Sequence, residues 1–171
     1  GDNMCGIVGY LGERDAVEVI LDTLRKLEYR GYDSAGVALL DQGVVRVVKC
    51  QGKLENLQRL LDKDRPRGRV GLGHTRWATH GKPSNVNAHP HSAGTVTIIH
   101  NGIIENHVTL KRRLQAQGAQ FASETDTEIL AHLIDEKLKR GDTFEDAVRG
   151  ALSEAEGSYA VAVLSAEHPD R

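Results

Sequence analysis

Ala35-Gly-Val-Ala-Leu-Leu40 and Val44-Val-Arg-Val-Val-Lys-Cys50, joined by Asp41-Gln-Gly43, form the stretch on which the fold turns. Two runs of aliphatic and β-branched residues around a short glycine-containing turn predict a β-hairpin. Upstream, Cys5 to Tyr10 is a short apolar run that predicts a buried strand. Residues 14–29 predict an amphipathic helix, with Asp15 and Glu18 as a capping box and Val17, Ile20, Leu21, Leu24 and Leu27 at helical spacing. Downstream come a short helix at 54–62, a polar loop at 62–69 and strands at 70–75 and 96–100. Three helices follow at 106–117, 126–139 and 143–155, then a closing strand at 159–165. Thr125 with Glu128 predicts a capping box for the 126–139 helix, whose core face carries Ile129, Leu130, Leu133, Ile134 and Leu138. Hairpin-like strands first and helices grouped later indicate a layered α+β fold and not an alternating parallel sheet.

Composition sets the outer limits. The chain has 171 residues, enough for one domain at roughly 100–200 residues each. Hydrophobic residues at 39% and charged residues at 27% support a packed core. A formal charge of −2 gives no electrostatic reason to bind nucleic acid or an anionic membrane. No apolar run approaches the ~18 residues of a membrane span, and two cysteines, Cys5 and Cys50, do not make a disulfide framework. The expectation is a soluble cytoplasmic domain. Gly1-Asp-Asn-Met4 reads as a cloning scar ahead of an initiator Met4, and a chain that stops just after a strand reads as cut short.

Several residues could carry chemistry. Cys5 is either a buried strand cysteine or, once Met4 is removed, an N-terminal residue whose α-amine, with a pKa of about 8, can act as base for its own thiol. Arg76, in the His74 to Gly81 run, offers a planar fork for a carboxylate and Trp77 an amphipathic lid. Asn101 beside Gly102 is either an ordinary turn or a pair of oxyanion donors. Ser123 to Glu128 gathers three carboxylates at a helix start, where cap chemistry accounts for Glu128 and leaves one free for an ammonium. Of eight histidines, His74, His80, His89, His91 and His100 lie in or beside the non-periodic segment 76–95, but no H-E-x-x-H and no cysteine pair accompany them, so no metal is expected. Gly71-Leu-Gly73 begins like a dinucleotide fingerprint, but Arg76 holds the third glycine's place.

Six runs taken in order resemble the class II glutamine amidotransferases: Met4-Cys-Gly-Ile-Val-Gly9, Leu27-Glu-Tyr-Arg-Gly-Tyr-Asp-Ser34, His74 to Gly81, Asn87-Ala-His-Pro-His91, His100-Asn-Gly-Ile-Ile-Glu-Asn106 and Ser123 to Glu128. The wording of Glu28 to Asp33 and of Trp77 to His80 is similar to the branch that makes hexosamine from fructose 6-phosphate. The resemblance implies an N-terminal-nucleophile hydrolase sandwich of four layers, αββα. It implies that Cys5 attacks the carboxamide of L-glutamine, with Asn101 and Gly102 holding the oxyanion. Arg76 would grip the α-carboxylate, Asp126 the α-ammonium, Thr79 and His80 would line the pocket, Trp77 would ride on a closing loop, and Arg30 would orient the nucleophile end. No cofactor is implied. Fructose 6-phosphate would be met only on an isomerase domain absent from this chain, and the full-length enzyme would be a homo-oligomer.

The resemblance also carries two departures. With residues 1–4 attached, Cys5 has an amide nitrogen and no free amine, so the chain is expected to be silent until Met4 is trimmed. Residues 5–171 would be an incomplete glutaminase domain. The competing expectation is therefore a non-catalytic glutamine-binding or docking piece, and Arg76 and Asp126 serve both.

Overall fold

The structure, a computed structural model, describes residues 5–170. The expectations about residues 1–4 lie outside that range. Seven strands and five helices follow one another as β1 (Gly6–Leu11), α1 (Ala16–Leu27), β2 (Ser34–Asp41), β3 (Val44–Gln51), α2 (Leu54–Lys63), β4 (Val70–Arg76), β5 (His91–Ala93), β6 (Val96–Gly102), α3 (His107–Ala116), α4 (Thr127–Lys139), α5 (Phe144–Glu154) and β7 (Tyr159–Ser165). A single 3₁₀ turn, Glu28–Arg30, ends α1. Every expected element is present; β5 was not expected, being only three residues long.

The strands make two antiparallel sheets, ordered β1-β4-β2-β3 and β5-β6-β7. The β2–β3 hairpin is tighter than its sequence suggests. Asp41 pairs with Val44, which leaves a two-residue turn at Gln42 and Gly43 with φ +51° and +81°. Positive φ at both positions is the turn whose twist matches the strands. Cys5 to Tyr10 is an edge strand with one face exposed, not a fully buried one.

Alternation along each strand sends side chains to two different cores. Ala35, Val37 and Leu39 of β2 face outward onto Ile20 and Leu24 of α1 and Leu57 and Leu61 of α2. On the other sheet, Val96 and Ile98 face α3, α4 and α5, meeting Leu130, Leu133, Ile134 and Ala147. Between the sheets lie Ala38, Leu72, Ile99 and Leu164. The result is four layers, helix–sheet–sheet–helix. Each fully buried Leu or Ile contributes about 1.5–3 kcal/mol.

The two glycines that resembled half a nucleotide fingerprint have a packing reason. A Cβ on Gly73 would lie 2.2 Å from Ile20 Cγ2, so α1 can sit down on β4 only because position 73 is bare. The Asp15 cap forms as expected, its Oδ1 accepting from Glu18 N at 3.2 Å. The Thr125–Glu128 box does not form. Asp126 holds the N-cap position of α4 without a side-chain cap bond. Glu128 instead accepts from Ala122 N, Ser123 N and Ser123 Oγ, because its buried carboxylate is better served by the chain folding back over it.

Candidate active site

The C-terminal ends of β4 and β6 and the start of β1 meet at one edge of the sandwich, and the residues that follow β4 fold over them. Cys5, Arg76, Trp77, Thr79, His80, His89, His100, Asn101, Gly102, Ile103, Thr125, Asp126 and Thr127 enclose a cavity of about 170 Å³. Eight of the nine residues expected in the site are therefore brought together. Arg30, half-buried on the 3₁₀ turn, is the exception: it does not line the cavity, and its guanidinium lies 5.7 Å from the Tyr29 ring.

Cys5 Sγ accepts a hydrogen bond from Trp77 N at 3.2 Å, and Cys5 O accepts one from Asn101 Nδ2 at 3.1 Å. The second bond joins the facing sheets, since Asn101 stands on the inner face of β6. Burial pushes the thiol pKa up, while the Trp77 N–H and the Arg76 guanidinium pull it back and Asp33 adds to the rise. At rest the sulfur is a thiol and needs a base. A Cβ on Gly6 would lie 2.6 Å from Thr75 Oγ1, so the glycine after the cysteine lets β1 approach β4. Gly102 has φ +130°, and a Cβ there would strike Ser158 O at 2.4 Å.

Arg76 is 3% exposed, and one end of its fork is bound to His80 O and to Gly81 O, the latter at 2.9 Å. Its Nη1 is buried without a protein partner. Burial lowers its pKa, and the charges of Asp33, Cys5, Asp126 and Glu124 oppose that; a guanidinium stays charged regardless. Asp126 is buried, with Oδ2 accepting from Ile104 N at 2.9 Å. A buried cation with a free N–H and a buried anion lining one cavity suit a zwitterion. Trp77 is 40% exposed at the mouth.

Sequence reasoning missed Asp33, His89, His100, Thr125 and Thr127. Asp33 Oδ2 accepts from Ala78 N at 2.5 Å and so fixes the peptide next to the Trp77 N–H that meets Sγ. Beneath the cavity His74 stacks on His89 with centroids 4.0 Å apart, and His91 meets His89 edge-on. His74 Nε2 bonds His100 O, while Thr127 Oγ1 bridges His100 Nδ1 at 2.9 Å and His89 Nε2 at 3.3 Å. Burial lowers the pKa of all four rings, those of His74 and His91 to about 3. Among the described residues no three His, Cys, Asp or Glu side chains converge as metal ligands. The signal for the missed residues was present, since each lies inside one of the six runs, but only proximity in space gives them a role.

The glutamine amidotransferase domain model matches residues 74–170, and the chain belongs to that family. It is 53% identical to the glutamine–fructose-6-phosphate aminotransferase (isomerizing) of Clostridium tetani over 98% of this chain, and 48% identical to that of Escherichia coli K12 over the same share. The chain spans 28% of the length of these curated relatives. The glutamine phosphoribosylpyrophosphate amidotransferase from B. subtilis, solved with ADP and GMP, superposes with TM-score 0.80 at 29% identity, over 94% of this chain and 35% of that one. The αββα sandwich is thus the fold of the N-terminal-nucleophile amidotransferases. Among the described residues no helix is long and apolar enough to cross a membrane.

Proposed function

We propose that this domain hydrolyses L-glutamine to glutamate and ammonia through a thioester on Cys5. One observation carries the proposal: a single cavity is walled by a thiol, an amide donor beside a positive-φ glycine, a buried guanidinium and a buried carboxylate. Arg76 binds the α-carboxylate and Asp126 the α-ammonium. Thr79 and His80 line the side-chain path, and Trp77 closes the mouth. The α-amine of an N-terminal Cys5 takes the thiol proton, and Sγ forms a bond to the carboxamide carbon. The oxygen gains the negative charge and is held by the Asn101 side-chain N–H and the Gly102 backbone N–H. The C–N bond breaks as the protonated amine returns its proton to nitrogen, and ammonia leaves. Water then attacks the thioester and releases glutamate.

The relatives' names support delivery of the ammonia to fructose 6-phosphate, and we propose that an isomerase domain of a longer protein receives it. They also favour an enzyme over a silent glutamine-binding or docking piece. The test is intact mass after treatment with a diazo-ketone analogue of glutamine. It is applied to the chain with residues 1–4, to a form starting at Cys5 and to that form with Cys5→Ala. A single adduct confined to the form starting at Cys5 is expected. No adduct on any form would leave the binding-piece reading standing.

A further inference from the structure

The side-chain amide of Asn87 joins the two loops that carry the ends of the amino-acid clamp. Asn87 is 3% exposed and does not line the cavity. Its Nδ2 donates to Lys82 O and to Glu124 Oε2, both at 2.9 Å, and its Oδ1 accepts from Glu124 N at 2.9 Å. On one side of this tie, Arg76 is bound to the carbonyls of His80 and Gly81, the residues just before Lys82. On the other, Glu124 lies two residues from Asp126, itself held by Ile104 N. Cation and anion are thus linked through short stretches of chain and one amide. The packing leaves no slack: a Cβ on Gly81 would lie 2.8 Å from Asn87 Nδ2 and 3.0 Å from Glu124 Cβ.

Resting on the roles given above to Arg76 and Asp126, we propose that Asn87 is a positioning residue that holds the two clamp residues together, and so fixes where the amino-acid head group stands relative to Cys5 Sγ. With the head group fixed relative to Cys5, a side chain one methylene shorter leaves its carboxamide carbon short of Sγ. A single methylene is worth about 10–200-fold in discrimination. A loosened tie loses affinity for glutamine and part of its advantage over asparagine.

The experiment uses the form starting at Cys5. Asn87→Asp keeps the shape, removes both N–H donors and sets a carboxylate against Glu124. The expected result is a KM for glutamine raised about tenfold, kcat within about threefold, and a glutamine-to-asparagine ratio of kcat/KM lowered about fivefold. The rate of Cys5 alkylation by iodoacetamide, which has no amino-acid head, stays unchanged. Glu124→Ala, at an exposed side chain, removes one of the three bonds and raises KM about threefold. It decides the matter where Asn87→Asp fails to fold. Arg76→Lys and Asp126→Asn are measured alongside. Unchanged KM in these two would defeat the clamp itself. Raised KM in them, with KM and the ratio unmoved in the Asn87 and Glu124 variants, would overturn the role of Asn87 alone.

Discussion

The space between the two sheets is apolar at one end and polar at the other. At one end Ala38, Leu72, Ile99 and Leu164 pack as an apolar cluster. At the other, Ser34, His74 and Arg76 are buried, and His89 stacks on His74. Strand β4 shows how short the transition is, since its inward positions run Val70, Leu72, His74, Arg76. Four alternate residues pass from oil to ion. The apolar end and the two outer layers hold the molecule together. The polar end strains that arrangement, because desolvated rings and a guanidinium gain less from burial than aliphatic groups do. Stability and the proposed chemistry are thus carried by different residues of the same strands.

The sharpest way to break that separation is to exchange the two kinds of residue. Leu130→Ala, in the helical layer over β6, is expected to destabilise by about 2–5 kcal/mol. For a chain of this size that lowers Tm by about 4–20 °C. Cys5→Ala in the form starting at Cys5 is expected to abolish glutamate release while Tm stays within about 2 °C. Calorimetry and a glutamate assay on both variants check the pair. A large Tm loss in Cys5→Ala would mean that the site end also carries the fold.

The second break is by acid. Burial lowers the pKa of His74 and of His91 in the folded chain to about 3, from an ordinary imidazole value of 6.5. Above pH ~6.5 neither state of the chain takes up the proton, and these rings have no effect on the pH dependence. Below it the unfolded chain binds protons that the folded chain refuses, so stability falls as pH falls, down to about pH 3. Each ring then removes about 2 kcal/mol between pH 7 and 5. Glu128, whose burial is outweighed by the His132 ring 3.6 Å away and by hydrogen bonds from Ser123 Oγ and the Ala122 and Ser123 N–H groups, is held at about 2 and adds its own loss only below pH ~4.5. Tm is expected to drop steeply from pH 6.5 to 5, and less steeply in His91→Gln. A flat profile over that window would show that the rings are protonated in the folded state.

How much of this was legible in the sequence follows the same division. The outer layers were readable almost residue by residue, because helical and strand periodicity report directly on apolar faces; α4 buries Ile129, Leu130, Leu133 and Ile134 as its spacing requires. The pairing of the sheets was not readable, because nothing local brings Cys5 beside Asn101 across 96 positions. The site residues were named through the resemblance of six runs, and the cavity gathers all of them except Arg30. What stayed invisible was the supporting set: Asp33 under Ala78, Asn87 against Glu124 and Thr127 between two imidazoles. These residues act through contacts distant in sequence, and each type is also common at turns and caps.

The mildest test compares two helix starts. In α1, Asp15 occupies the N-cap and its side chain accepts from Glu18 N. In α4, Asp126 occupies the same position, but its carboxylate turns away to Ile104 N and the cavity and makes no cap bond. One aspartate serves its helix and the other a site built around it. Asp15→Ala is expected to cost about 1 kcal/mol, lowering Tm by about 2–4 °C, with the KM for glutamine unchanged. Asp126→Asn keeps an acceptor for Ile104 N and is expected to move Tm less than Asp15→Ala does, while glutamine binding weakens at least about tenfold through loss of the anion. Calorimetry and glutamine titration on the two variants give a crossed pattern if the division holds. A larger Tm loss in Asp126→Asn, with glutamine affinity retained, would return Asp126 to the ordinary work of starting a helix.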